Sequence, residues 1–340
     1  MKRKMVEIDK KLKGVFSRIS DLAVISSLLE VSSFKPGNVT PADDFEDTSF
    51  EDFIFGAVGM RNGIYKALER GYLAAKGEIR YSKIGIGSLI RECVEQVLEM
   101  NKGKNTHLGT AMLFIPTSSA VGICFGKTVG FEKLQENFKV VIDCSTIEDA
   151  IELYRAIRIC NPGGIEAKDE TSIKLDVMKL SSEEKLRDLK LTFKKIMMLS
   201  AEKDLIAKEI IESLGNLLEF GLPIFERLQE RLKLREAITQ YYLILLSRSP
   251  DTLIARKTSL EKAKEISDIA KSILEKGGIL TEEGKREIEK FDKYLRENSN
   301  KLNPGSTADL VAETIYLYLI KKEIFDKMGP EGFEPTTTRL

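Results

Sequence analysis

Apolar residues recur at intervals of three and four along most of the chain, the period of helices that bury one face. The first run spans Val6 to Leu29 and stops at Lys35-Pro36-Gly37, where proline removes a donor and glycine frees the backbone. Thr48 with Glu51 predicts a capping box that opens a helix through Phe53, Ile54, Val58 and Ile64. Another helix is predicted from about Ile84 to Met100, closing at the Asn101–Lys104 turn. Thr110 to Phe125 is apolar, but Pro116 and the nearby glycines argue against one long helix. Phe138 to Cys144 would pass for a strand. Phe131 to Leu134 leads into it at helical spacing, however, and Ser145 with Glu148 predicts a second capping box, so both segments are read as helices.

Further amphipathic segments lie near 182–199, 203–220, 224–247, 257–276, 281–299 and 306–327. No βαβ alternation, GxGxxG, P-loop or repeating unit is visible. The expected fold is all-α: a single large multi-helix domain over 1–328, with a polar nucleotide cleft and an internal linker near 161–174. Residues 329–340 have no helical pattern and read as an unstructured, appended tail, whose deletion is expected to leave stability and activity unchanged.

Composition narrows the chemistry. The 340 residues are 42% hydrophobic and 31% charged, enough to bury a sizeable core. Length alone, at roughly 150 residues per domain, also allows two domains. Lys+Arg and Asp+Glu both number 53, which argues against nucleic acid as an obligatory partner and leaves a local basic pocket open. The four cysteines form no CxxC pair, so zinc-ribbon and thioredoxin chemistry are excluded. His107 is the only histidine, so a histidine-rich metal site is excluded too. The start, MKRKMVEIDKKLKG, lacks a signal-peptide core. No uncharged apolar run is expected to reach the roughly 18–20 residues of a membrane span. A cytoplasmic protein with reduced thiols and no membrane partner is expected.

Four polar blocks interrupt the amphipathic pattern. The first runs from Glu30 and Lys35 to Asp47; between Asp43 and Asp52 six of ten residues are acidic. Asp43, Asp44 and Asp47 read equally as hard oxygen ligands for Mg²⁺ or as a solvated loop at a helix N-terminus. Glu51 and Asp52 fit the latter. The second block, Gly103 to Gly109, can present backbone N–H groups, Asn105, Thr106 and His107 to an anion; the plainer reading of His107 is a cap. In the third, Asp251 and Thr252 read as a cap and its neighbour, and Arg256 and Lys257 as phosphate ligands or a solvated face. In the fourth, Ser306 reads as an N-cap and Asp309 as its N3 acid, although Ser306 and Thr307 can also face a phosphate.

Taken in order, Lys35-Pro36-Gly37, Asn105-Thr106-His107-Leu108-Gly109, Asp251-Thr252 with Arg256, and Pro304 to Leu310 resemble the triphosphoribosyl-dephospho-CoA synthase family. These are all-helical enzymes that serve the prosthetic groups of citrate lyase and malonate decarboxylase. The resemblance spans Glu30 to Asp309. It departs at Lys257-Thr258-Ser259, where bacterial members carry a glycine-rich turn, and its acidic loop looks more like the archaeal branch.

The resemblance implies transfer of the 5-triphosphoribosyl group of ATP to the ribose of 3′-dephospho-CoA with release of adenine. It implies Mg²⁺ on Asp43, Asp44 and Asp47, with Asp309 either joining them or acting as base and His107 as the second candidate base. Nucleotide contacts would come from Lys35, Asn105, Thr106, Asp251, Thr252, Arg256, Ser306 and Thr307. The same chemistry on a different nucleotide or coenzyme acceptor, and a helical nucleotide-binding protein without turnover, remain alternatives. The apolar stretch Leu217–Leu234 suits either a homodimer contact or an internal core.

Overall fold

The helical period is realised throughout. A computed structural model describes residues 8–127, 129–162, 177–297 and 300–328, and among these are fifteen α-helices and no strand beyond one isolated bridge, Thr40 to Asp43. The predicted tail, and the predicted linker beyond Pro162, lie outside the described residues. The helices are α1 (Lys10–Val31), α2 (Phe50–Ala75), α3 (Ile86–Met100), α4 (Leu108–Gly126), α5 (Leu134–Asp143), α6 (Ile147–Cys160), α7 (Ser182–Asp188) and α8 (Phe193–Ser200). They continue as α9 (Leu205–Ile211), α10 (Leu222–Gln229), α11 (Leu234–Arg248), α12 (Thr252–Lys257), α13 (Leu260–Glu275), α14 (Glu282–Arg296) and α15 (Gly305–Ile320).

The core is organised around α4, which packs against α2, α3, α5 and α15. It corrects two expectations. Pro116 sits inside one continuous helix of 19 residues, because burial on every face outweighs the single lost backbone bond. Those 19 residues carry no charge and are long and apolar enough to cross a membrane, yet 89% of the window is buried inside the protein. α2 crosses α4 closely: a Cβ at Gly71 would meet the Ser119 carbonyl oxygen at 2.0 Å, and one at Gly122 the Leu68 carbonyl oxygen at 2.1 Å. Glycine is required there by space.

Both predicted capping boxes exist one residue later, as Ser49 with Asp52 and Thr146 with Asp149. Asp149 also accepts from the Gly87 N–H of α3 at 3.0 Å, a tertiary bond that favours this register. Three predicted long segments are broken. The 182–199 run turns at Lys190 (φ 50°), and 224–247 divides into α10 and α11. The 203–220 run turns at Ser213 and Leu214, both in the left-handed region, where complete burial of the Leu214 side chain offsets the strained backbone. A π-helical turn, Leu217–Gly221, then leads into α10. Leu217, Leu222 and Phe225 are buried in the core.

Candidate active site

Asp251 is the knot that draws the late blocks together. It N-caps α12, one oxygen accepting from the N–H groups of Leu253 (2.8 Å) and Ile254 (3.2 Å). Its other oxygen accepts from the Thr307 N–H (2.7 Å) and hydroxyl (2.8 Å) in the first turn of α15. Burial raises its pKa, and these bonds oppose the rise. Four donors fill the four lone-pair sites of a carboxylate, so the nucleotide-contact role expected for Asp251 gives way to an architectural one.

Thr252 extends the knot. Its hydroxyl donates to Ser306 Oγ (3.1 Å) and accepts from the Leu205 N–H at the start of α9 (3.2 Å). Asp204 caps α9 through Ala207 N (2.9 Å), and its second oxygen takes the Arg256 guanidinium at 2.7 Å. Ser306 is not the N-cap predicted for it: α15 begins at Gly305 with Pro304 as N-cap, because Asp251 already serves the first-turn N–H of Thr307. Asp309 is thereby freed from capping and turns to α4.

There Asp309 Oδ1 accepts from the Thr110 hydroxyl at 2.5 Å. A Cβ at Gly109 would fall 2.1 Å from Asp309 Oδ2, so the second block must carry glycine where the fourth block places its acid. Asp309 is half-buried, and desolvation pushes its pKa up to about 7, with Glu30, Asp251 and Asp204 adding to the rise and Thr110 opposing it. His107, in the second block, is buried at the start of α4. Its Nδ1 lies 2.6 Å from Thr106 Oγ1, its ring meets Phe53 edge-on at 5.5 Å, and burial holds its pKa down at about 3. Thr106 Oγ1 also accepts from Asn101 (3.0 Å), while Asn105 is exposed on the turn.

The first block is divided. Lys35 is completely buried: its ammonium donates to the carbonyls of Glu30 and Ser33 (3.1 Å) and pairs with Glu30 Oε1 at 3.0 Å. Three donors meet three acceptors, so the phosphate contact expected of Lys35 is replaced by closure of the α1 C-terminus. Burial lowers the Lys35 pKa and raises that of Glu30, against the attraction of the pair. Gly37 N–H donates to Asp292 of α14 (2.8 Å), and Tyr242 of α11 donates to the Pro36 carbonyl (2.7 Å). The Lys-Pro-Gly turn is a buckle between α1, α11 and α14.

Asp43, Asp44 and Asp47 do not gather into the metal site expected of them. All three are exposed. The Asp43 backbone bridges to Thr40, Asp44 accepts from Phe50 N–H at the start of α2 (2.7 Å), and Asp47 accepts from the neighbouring Thr48 hydroxyl (3.1 Å). Among the described residues no group of three or more His, Cys, Asp or Glu is placed to hold a metal ion. Spreading into water relieves mutual repulsion, and helix N–H donors supply partial compensation. Asp47 does bring the loop beside α12, where it attracts the half-buried Lys257; burial nonetheless lowers the Lys257 pKa.

Sequence patterns did not reveal the layer below. Glu313, one turn after Asp309 on α15, is fully buried and accepts from Thr117 of α4 at 2.6 Å. Its other oxygen has no partner among the described residues, and burial pushes its pKa up to about 8. Glu209 of α9 is similarly buried, with one oxygen that has no partner among the described residues and a pKa pushed to about 7. An i, i+4 acid pair on an otherwise apolar helix was the available signal for Glu313. Asp204 gave only the signature of an ordinary N-cap.

A sequence model described as ATP:dephospho-CoA triphosphoribosyl transferase matches residues 16–326. A probable 2-(5''-triphosphoribosyl)-3'-dephosphocoenzyme-A synthase of Malonomonas rubra is 25% identical over 311 residues, covering 90% of this chain and 89% of that protein. A Vibrio cholerae protein of the same name is 23% identical over 304 residues, covering 88% and 87%. The fold is shared with the crystal structure of a triphosphoribosyl-dephospho-CoA synthase candidate from Archaeoglobus fulgidus, at a TM-score of 0.52 and 23% identity, over 76% of this chain and 97% of that one. The match across almost the whole helical domain shows that the chain belongs to the ATP:dephospho-CoA triphosphoribosyl transferase family and is a transferase.

Proposed function

We propose that the protein transfers the 5-triphosphoribosyl group of ATP to a ribose hydroxyl of 3′-dephospho-CoA and releases adenine. The observation that carries this reading is Asp309, half-buried between the first turns of α4 and α15 with a pKa near 7. A general base works best when its pKa lies near the operating pH. In the reaction the bond from the ribose anomeric carbon to adenine breaks, and a bond to the acceptor oxygen forms. Asp309 takes the acceptor's hydroxyl proton, while the departing adenine nitrogen takes a proton from solvent. Positive charge builds on the sugar ring during this exchange, as in glycoside cleavage, and the nearby carboxylates favour it.

His107, whose conjugate acid forms only near pH 3, is too weak a base for that proton and serves as a neutral hydrogen-bonding group. The triphosphate would be held by N–H groups in the first turn of α4, by Ser306, whose proton is left to donate, and by Arg256. Asp43, Asp44 and Asp47 do not form a ready Mg²⁺ site, and no step is assigned to that ion.

The test is chromatography of adenine released from ATP with and without 3′-dephospho-CoA, with mass spectrometry of the product. Adenine only in the presence of dephospho-CoA supports the transfer. Bound ATP without adenine would discard this acceptor and direct the search to other ribose-bearing coenzymes.

A further inference from the structure

We propose that Asn101, which lies in none of the four sequence blocks, and Thr106 are positioning residues that hold His107 as its Nε2–H tautomer, and that Nε2–H donates a hydrogen bond to a ring nitrogen of adenine as it leaves. The direction of each bond follows from one buried amide. Asn101 meets Lys104 with both ends of its side chain: Oδ1 accepts from the Lys104 N–H at 3.0 Å, and Nδ2 donates to the Lys104 carbonyl at 2.7 Å. These backbone partners fix which end is the nitrogen, so Asn101 is the donor to Thr106 Oγ1 at 3.0 Å.

Thr106 Oγ1 has one proton of its own, and His107 Nδ1 lies 2.6 Å away. Were Nδ1 the donor, that hydroxyl proton would have no acceptor among the described residues. Nδ1 therefore accepts. Burial keeps the ring neutral, so its single proton sits on Nε2, which makes no hydrogen bond among the described residues. The Nδ1 side is closed by Gly56 of α2, where a Cβ would fall 2.5 Å from Thr106 Oγ1 and 2.7 Å from Nδ1.

A neutral imidazole brings no charge to a phosphate, whereas a purine leaving an anomeric carbon gathers negative charge on its ring nitrogens, where a fixed donor is worth most. Phe53, edge-on to the imidazole at 5.5 Å, gives it an aromatic neighbour suited to a flat base. His107 lends a hydrogen bond and keeps its proton; the base still takes its own from solvent.

This inference rests on the proposed transfer, and the experiment reads the two apart. His107 is the only histidine, so the full chain labelled with ¹⁵N-histidine gives a single pair of ring nitrogens. Two-bond proton–nitrogen spectra of the wild type should show a pyridine-like Nδ1 and a pyrrole-like Nε2. Adenine should shift the Nε2–H signal, and inorganic triphosphate should not. Asn101→Asp can only accept from Thr106, which reverses the relay and should move the ring proton to Nδ1. His107→Gln carries an amide where Nε2 stands, and His107→Asn where Nδ1 stands. With melting temperatures measured in parallel, His107→Gln should keep about tenfold more turnover than His107→Asn, the difference falling on kcat rather than on the KM for ATP.

A pyrrole-like Nδ1 in the wild type would overturn the relay, whether or not Asn101→Asp folds. Nε2–H unmoved by adenine, or moved equally by triphosphate, would overturn the contact with the base, as would equal turnover in the two His107 variants. If the wild type releases no adenine with dephospho-CoA, the transfer reading fails, while the spectra still decide the tautomer and its contact with adenine.

Discussion

Asp43, Asp44 and Asp47 stand in water at the entrance to α2, whereas Asp309 and Glu313 lie one turn apart on the face of α15 that meets α4. The first group is dense in sequence and carries the stronger acidic signal; the second is two isolated acids in an apolar helix. Their chemistry runs the other way. The loop acids hydrogen-bond a helix start, a neighbouring hydroxyl and solvent, while burial lifts Asp309 to about 7 and Glu313 to about 8. A proton near neutral pH is therefore exchanged on α15, where carboxylates are few and desolvated.

The sharpest way to break this comparison is Asp309→Asn. Removing a general base should lower adenine release by about a thousandfold, while the melting temperature stays level or rises because a costly buried carboxyl is gone. In the wild type the rate should climb with pH through about 7, as Asp309 loses its proton and becomes competent. A variant with near-normal turnover would remove Asp309 from the base role.

Gly109→Ala comes next. Its methyl would sit 2.1 Å from Asp309 Oδ2, so either the acid or α4 must move. A loss of about a hundredfold in turnover is expected from misplacing the base, with overpacking costing roughly 1–3 kcal/mol of stability by denaturant unfolding. Normal activity would mean that Asp309 can leave Thr110 without consequence.

Glu313→Gln tests the buried acid through stability rather than rate. Between its unfolded value of 4.5 and its folded value of about 8, the folded chain holds a proton that the unfolded chain has released. Its stabilising share is thus complete below 4.5 and is lost as pH rises, at about 1.4 kcal/mol per pH unit within that window. Asp309, Glu209, Glu30 and Asp251 titrate in the same sense, so the difference between wild type and Glu313→Gln isolates the Glu313 share. Glu313→Gln should flatten the fall in melting temperature within that window; an unchanged slope would show that Glu313 is ionised in the fold.

The smallest effect is expected in the acidic loop. Asp44→Asn can still accept from Phe50 N–H, so turnover should stay within about threefold and stability within about 0.5 kcal/mol. Abolished turnover in a folded variant would mean that the loop gathers around a cation when substrate arrives, and the contrast between the two groups would dissolve.

Much of the site was legible before any coordinate. All four blocks sit where a loop meets a helix end, and the residues that mark such ends, Pro, Gly, Asp, Ser and Thr, are the same ones that bind anions there. His107 and Arg256 stood out as candidate polar contacts on that basis, and Asp309 as a base only through the resemblance of the ordered blocks to the synthase family. What they do was not. Lys35 and Asp251 look like ligand residues until their partners are counted, and those partners come from the carbonyls ending α1 and from α15. The capping boxes slid by one residue for a similar reason, since Asp149 also serves Gly87 on α3. Asp204 was invisible because its meaning depends on Arg256, 52 positions away.

The sequence by itself determined the helical class, the approximate start of most helices and the order of the polar blocks. These follow from hydrophobic period and capping, which act within about four residues along the chain. Only the tertiary structure decided that Pro116 lies in an unbroken core helix, which carboxylates are desolvated and which side chains are already spent. Thr110 of α4 and Asp309 of α15 meet across 199 positions, and Glu30, Asp251 and Asp204, far apart in the sequence, add to the negative field there. A protonation state is a property of that enclosure, and no local stretch of chain contains it.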